Sequence, residues 1–284
     1  MLNTFAKPSY RAIGTSLQAG RACTAPAVRS CTEPPIQFLS PIEIAYCCVV
    51  MVACYALRGS TGFGAAAAMP LLGLVIPMKV LIPAWTLVGL IASVTLFGRD
   101  RHHVAWREIA KIVPTCVVGV VAGIYLFTVL DSSALARGLG ILVVLYGLHS
   151  LWTTFRPLSR WNVPTRVAAP VAGLFGGIIG TAFGTMAGVF FAMYFDTLHK
   201  GKEQFRATMN AILLAVVILR GAGYWAVGEY DRDVLIISAI ALPLMLVGIF
   251  IGNRIHTGLS ELVFRRLVGG ALIASGAALL AKSG

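Results

Sequence analysis

Gly59-Ser60-Thr61-Gly62-Phe63-Gly64-Ala65-Ala66-Ala67-Ala68-Met69-Pro70 breaks an otherwise apolar sequence with glycines, small residues and hydroxyls. A second copy follows at an offset of 120 residues. There Thr61, Phe63, Gly64 and Ala67 fall on Thr181, Phe183, Gly184 and Ala187, inside Gly180-Thr181-Ala182-Phe183-Gly184-Thr185-Met186-Ala187-Gly188. Within lipid, unwound backbone is tolerated only where protein or a watery cavity meets its N–H and C=O groups. Interrupted helices in corresponding halves of a membrane chain therefore point to a binding site at the repeat interface. Small residues also serve plain helix packing, which suffices for any single glycine. Packing alone does not call for the matched hydroxyls of Ser60, Thr61, Thr181 and Thr185.

The setting of the two copies is a membrane. Of the chain, 58% is hydrophobic and 12% charged, with a mean hydropathy of +0.84, too apolar for one soluble core. The formal charge of +12 is dispersed in short clusters between apolar runs. Such a distribution reports topology and does not form a nucleic-acid patch. Cys23, Cys31, Cys47, Cys48, Cys54 and Cys116 show neither CxxC nor Cys/His spacing, and read as small hydrophobes with no metal or disulfide role.

Working outward, residues 1–35 form a polar, basic, disordered tail carrying Lys7, Arg11, Arg21 and Arg29. The composition fits a tail, an over-long start of the reading frame or an organelle transit peptide. Pro34-Pro35 and Pro41 open a single membrane domain over 36–284, built of repeat 41–152 and repeat 166–281 joined by linker 153–165. In the first repeat, Ile42–Leu57 is an apolar arm and Ala65–Pro77 a short one. The short arm falls below the ~20 helical residues that the hydrocarbon core requires. The two arms read as a re-entrant hairpin, followed by spans near 80–97, 109–129 and 135–151. The second repeat restarts the pattern with arms 167–183 and 189–198 and spans 207–227, 234–251 and 267–281.

Residue matches support the duplication. At an offset of 129, Pro114, Gly119 and Gly123 fall on Pro243, Gly248 and Gly252, and Arg137, Gly140 and Gly147 on Arg266, Gly269 and Gly276. Charge orients the halves. The loop after the first full span is basic (Arg99, Arg101, Arg107, Lys111), whereas its counterpart is Glu229-Tyr230-Asp231-Arg232-Asp233. The next loop, Asp131-Ser132-Ser133, has no basic residue, while its partner carries Arg254, Arg265 and Arg266. Under the positive-inside rule the repeats are inverted, each a hairpin plus three transmembrane helices in an all-α integral membrane protein. Lys200, Lys202 and Arg206 place the second hairpin's mouth in the cytoplasm. The same scheme puts the basic tail outside, against the rule, unless the first arm crosses fully.

Two glycine-rich breaks, each followed by a small-residue half-helix and then an Ala-Thr-containing helix (Ala84-Trp85-Thr86 and Ala207-Thr208-Met209-Asn210), resemble the TauE/SafE family of sulfite and organosulfonate exporters. The resemblance covers roughly residues 41–281. It implies a multi-pass carrier of the bacterial inner membrane that exports small sulfur-containing anions such as sulfite, sulfoacetate or related sulfonates. Where the family commonly shows a run of glycines, this chain reads Gly62-Phe63-Gly64-Ala65-Ala66. Where the family commonly repeats Thr-Asn, the first copy reads Thr86-Leu87, although Asn210 is kept. A bulkier or less charged cargo than sulfite is compatible with both departures.

The chemistry expected of the breaks is anion binding. Half-helix N-termini present N–H groups without intrahelical partners and a partial positive charge. The candidate binding set is Arg58, Ser60, Thr61, Gly62, Gly64, Thr181, Gly184, Thr185 and Asn210. Gly62 and Gly184 must then face a common polar cavity. Glycine admits close backbone approach and the hydroxyls add donors. Arg58 is either a counter-charge or an arginine snorkelling at an arm's end. Asn210 either faces the site or bonds a neighbouring helix. Arg220, deeper in the same helix, is a gate charge or a partner of Glu229 or Asp231. The eleven acids lie in the tail, loops or segment ends, and His102, His103, His149 and His199 at loops or a helix end, so facilitated or weakly coupled movement is expected. An inside-negative potential drives anions outward by about 2.3 kcal/mol per charge per 100 mV. An enzyme would need a nucleophile, a metal cluster or an acid/base pair, and no such motif is present. No cofactor is implied. The partners are a small anionic substrate and the lipid bilayer, with no nucleic acid, and a homodimer is compatible with the reading. An anion channel or an uptake carrier for another small organic anion is the alternative function.

Overall fold

In the computed structural model, residues 40–61, 67–155, 164–198, 201–254 and 261–283 are described, and every extended element among them is helical. The chain order is α1 (Pro41–Thr61), α2 (Ala68–Leu72), α3 (Met78–Asp100), α4 (Trp106–Val129), α5 (Ser132–Phe155), α6 (Thr165–Ala182), α7 (Ala187–Thr197), α8 (Lys202–Val227), α9 (Arg232–Arg254) and α10 (Glu261–Ser283). A 3-10 turn, Arg101–His103, links α3 to α4. Among the described residues, six helices are long and apolar enough to cross a bilayer: α3, α4, α5, α6, α8 and α9. The sequence reading made α6 a hairpin arm and α10 a span. In the structure α6 has the length to cross, and the described apolar stretch of α10, Gly269–Lys282, falls short of it.

Local chemistry explains the two short elements. The arm expected over 65–77 is helical for only five residues, Ala68–Leu72. Beyond it the N–H groups of Gly73, Leu74, Val75 and Ile76 bond back to Met69, Leu71 and Leu72 in a turn that leads to Pro77. Element α7, at 11 residues, rises only about 16 Å at 1.5 Å per residue. It folds back along α6. A Cβ built on Gly176 would sit 2.8 Å from the Phe191 ring, and one on Gly180 would sit 2.6 Å from the Ala187 Cβ. Helices α6 and α7 therefore form an antiparallel hairpin, bent at Phe183–Met186. The first hairpin closes likewise, for the Tyr46 hydroxyl donates to the Leu71 carbonyl at 3.2 Å and brings the end of α2 back beside the first turns of α1.

Glycine determines which helices meet. On α4, a Cβ at Gly123 would lie 2.7 Å from Thr181 Cβ and 2.8 Å from the Ile178 carbonyl oxygen, and Gly119 abuts Gly177 of α6. The same use is made of the residues 129 positions later on α9. There a Cβ at Gly248 would lie 2.8 Å from the Val52 carbonyl of α1, and Gly252 rests on the backbone of Ala56. Close approach of this kind, with backbone facing backbone, is how membrane helices associate without a hydrophobic driving force. Both crossings are parallel. Helices α5 and α10 cross antiparallel, with Gly140 against the Gly276 carbonyl and Gly147 against that of Gly269. Large apolar side chains such as Val118, Val121, Tyr125, Leu145 and Phe250 face outward, as lipid contact requires. Exposed Trp106 and Trp152 stand at one end of α4 and α5, and Trp225 near the far end of α8, where aromatic belts lie.

The ends of the helices are tied by a few polar links. Lys79 at the start of α3 reaches the Phe127 carbonyl at the end of α4, with its ammonium 4.4 Å from the Phe127 ring centroid. At the opposite end of α3, the Ala105 N–H donates to the Thr208 hydroxyl (3.0 Å), so the basic segment 99–107 and the start of α8 share one end of the bundle.

Candidate functional site

Among the described residues, the bend between α6 and α7 interrupts helix inside the bundle. Gly184 has φ +72° and Met186 φ +70°. The left-handed region is natural for glycine but costs a side-chain-bearing residue about 1–2 kcal/mol. Helix α6 ends at Ala182, so its last carbonyls lack helical donors. The Phe183 N–H bonds the Ile179 carbonyl at 3.1 Å. The next two carbonyls are taken by side chains of α8, where Arg220 Nη1 donates to Gly180 at 2.7 Å and the Tyr224 hydroxyl donates to Thr181. A cation here also meets the negative end of the α6 dipole. Both side chains are buried, Arg220 being 5% exposed.

The Thr181 side chain is completely buried and its hydroxyl has no hydrogen-bond partner. An unpaired buried donor of this sort costs free energy unless something else visits it. Thr185 is 9% exposed and Asn210 8%. Thr208, two residues before Asn210, is committed to structure by its bonds to Ala105 and Gln204. Likewise Thr86 in α3 bonds back to the Ile82 carbonyl at 2.9 Å.

Of the residues expected at the site, Thr181, Gly184 and Thr185 share the bend, and Asn210 is buried on α8. Arg58, Ser60 and Thr61 close α1, but their side chains, with Gly62 and Gly64, lie outside the described residues. What the structure does show is that the start of the first short arm reaches the second break. A Cβ on Gly184 would fall on the Met69 methyl and lie 3.3 Å from Ile82. Apolar side chains pack closely around this bend. Met69 and Ile82 fill one side, Phe183 packs against Gly138 of α5, and Met186 joins the buried cluster around Tyr55, Trp85 and Phe127. Two openings lie away from it. A polar cleft of about 390 Å³ is lined by His102, His103, Val104, Gly201, Glu203 and Gln204, and an apolar groove of about 320 Å³ by Thr115, Val118, Pro170, Val171 and Leu174.

Comparison with known proteins places this arrangement. A family model described as "Sulfite exporter TauE/SafE" matches residues 46–279, which take in both hairpins and the following helices. The chain belongs to the TauE/SafE family. Two relatives of the family's kind match over most of their length. The probable inner membrane transporter protein TsaS of Comamonas testosteroni is 26% identical over 192 residues, covering 66% of this chain and 77% of that one. The probable sulfite/organosulfonate exporter TauE of Cupriavidus necator is 28% identical over 213 residues, covering 70% and 80%. No solved structure matches the chain. A TauE/SafE chain with these apolar helices is a multi-pass membrane protein of a transporter family.

Sequence reasoning singled out Arg220 but missed its pairing with Tyr224 on the end of α6. Its signal is a cation and a phenol four residues apart, hence on one face of a helix, well inside an apolar segment. Nothing in their spacing names the acceptors, because these are backbone carbonyls of another helix.

Proposed function

We propose that the chain exports small sulfur-containing anions, sulfite, sulfoacetate or related sulfonates, across the inner membrane by alternating access between two inverted repeats. The observation that carries the reading is the bend at Thr181–Met186, where helix is interrupted inside the bundle and the buried Thr181 hydroxyl is left unpaired. Sulfite and sulfonate oxygens would take that donor together with the first N–H groups of α7. The closed bend corresponds to an occluded state, in which Met69 and Met186, unbranched and adaptable, act as the movable fill.

Inversion is supported by the swap of contacts between halves. Helix α4 packs on α6 as α9 packs on α1, through glycines at equivalent positions. Helices α5 and α10, each the last of its repeat, cross antiparallel with Gly140 meeting Gly276 and Gly147 meeting Gly269. These pairs exchange into one another under the 129-residue offset, as a two-fold axis demands of a self-complementary contact. Single cysteines introduced at Asp131 and Arg254, in a variant cleared of native cysteines, should react with membrane-impermeant maleimide from opposite faces. Labelling of both from one face would end the inverted reading.

The site is tested by Thr181→Val and Thr185→Ala. Thr181→Val keeps the shape and removes a hydroxyl that bonds nothing in the closed state, so stability should hold within about 1 kcal/mol. Sulfite efflux from loaded proteoliposomes should fall about tenfold or more in each variant. Unchanged efflux in both, at equal protein incorporation, would remove the bend from the transport path.

A further inference from the structure

We propose that Arg220, with the hydroxyl of Tyr230 as a second donor, is the counter-charge for the carried anion, and that the anion takes the guanidinium from the Gly180 carbonyl when it binds. The inference rests on the transport reading above and deepens it by naming the charged group of the site. Arg58, the cation suggested by sequence, sits at the end of α1 with its side chain outside the described residues; Arg220 lies at the second break itself.

Three observations converge on Arg220. It is a guanidinium 5% exposed in a helix long and apolar enough to span the membrane, and intramembrane ionisable groups are functional candidates by default. One acceptor holding it is a neutral carbonyl, Gly180 at 2.7 Å. An anionic oxygen is the stronger acceptor, since a bond with both partners ionised exceeds one to a neutral carbonyl. Glycines stand beside both donors. Gly89 of α3 faces the guanidinium, with a built Cβ still 3.7 Å from Nη2, and Gly221 faces the Tyr230 hydroxyl at 3.5 Å.

Tyr230 supplies the independent sign of a ligand. Its phenol oxygen is shielded from solvent yet has no hydrogen-bond partner. Burial raises the Tyr230 pKa above its ordinary value while the charge of Arg220 pulls it back, which places the two groups within each other's field. On the same helix the Tyr224 hydroxyl donates to the Thr181 carbonyl. Two hydroxyls without partners thus flank this arginine in different ways, Thr181 as the residue after the carbonyl that holds it and Tyr230 within its field. An oxyanion with three acceptor oxygens matches that donor set; a chloride ion would use the charge but not its spread.

The exchange also links binding to movement. With Arg220 on Gly180, the C-terminal end of α6 is tied to α8. When the anion takes the guanidinium, the Gly180 carbonyl loses its donor and the bend is released. Binding energy is then spent on opening the hairpin, as a carrier requires.

The test is binding of sulfoacetate and of sulfite to the purified full-length protein by titration calorimetry, with chloride as the comparison anion. Tyr230→Phe removes only the unpaired hydroxyl and should leave the melting temperature unchanged while weakening sulfoacetate binding about tenfold. Arg220→Gln keeps a donor for the Gly180 carbonyl and removes the charge, and should weaken binding about a hundredfold. Arg220→Lys, which retains the charge without the planar fork, should fall between them. Binding by Tyr230→Phe within twofold of the parent overturns the proposal, whatever the yield of the Arg220 variants. If Tyr230→Phe and Arg220→Gln bind normally while Thr181→Val does not transport, the transport site stands and this assignment of its charge falls. If Thr181→Val also transports normally, both fall.

Discussion

Tyr224→Phe combined with Arg220→Met should leave almost no folded protein in detergent, whereas Tyr224→Phe alone should be recovered with measurable loss of stability. The Tyr224 hydroxyl and the Arg220 guanidinium each satisfy one carbonyl at the end of α6. Removing one donor leaves a buried carbonyl without a partner, at about 1–3 kcal/mol. Arg220→Met returns the desolvation cost of a buried cation, which offsets part of that loss. Tyr224→Phe returns nothing comparable, because its ring keeps the edge contact with Phe127 at 5.0 Å between centroids. In the double variant both carbonyls are orphaned in a segment already carrying Met186 at φ +70°. Groups that hold one backbone end together do not act independently. The two losses should exceed their sum, and the bend should lose its single conformation. Monodispersity on gel filtration and an unfolding titration of the two single variants and the double variant provide the measurement. A double variant as stable as Tyr224→Phe would show that α6 does not need the Arg220 donor.

The contrast with the sequence reading lies in what each kind of residue reveals about itself. The bend at Gly184 was legible because glycine, hydroxyls and a following small residue in an apolar chain have few other uses in lipid. The element order was legible from apolar length, and the observed α3, α4, α8 and α9 run two to five residues beyond the expected spans at one or both ends, where Lys, Arg and Trp residues extend them. Helix pairing was hidden. A lipid-facing valine such as Val121 and a protein-facing one such as Val120 are chemically alike, so periodicity gives no contrast in a membrane. The shortness of α2 was hidden too, since Ala65–Pro77 reads as continuous apolar helix until Gly73 and Pro77 are seen to bound a turn. Arg220 could be marked as unusual, but its acceptor, a backbone carbonyl forty residues earlier, has no side-chain signature. The glycines at offset 129 carried the most information. They were read as marks of duplication, and the structure gives them a common mechanical use.

That use leads to the second large effect. Gly123→Leu and Gly252→Leu should each abolish recovery of folded protein, and by comparable amounts, although they lie on different helices. At Gly252 even a methyl group would fall on the Ala56 carbonyl of α1, and at Gly123 it would press on Thr181 and the Ile178 carbonyl of α6. The obstacles are backbone and a short branched side chain. They cannot rotate away, so the helices must separate. Overpacking of a fitted interior by single methylenes costs about 1–3 kcal/mol, and a leucine adds several against rigid backbone. Separation also forfeits the close contacts that substitute for a hydrophobic drive within lipid. Gly270→Leu on α10 is the control, since nothing lies within 4 Å of a Cβ there; its yield should match the parent. The comparison carries a consequence for the repeats. If equivalent glycines serve equivalent crossings, α4 on α6 and α9 on α1, then yields of Gly123→Leu and Gly252→Leu should fall together, and so should those of Gly119→Leu and Gly248→Leu. A chain that tolerates leucine at Gly252 but not at Gly123 would have one tight crossing and one loose one, and its two hairpins could not be related by symmetry.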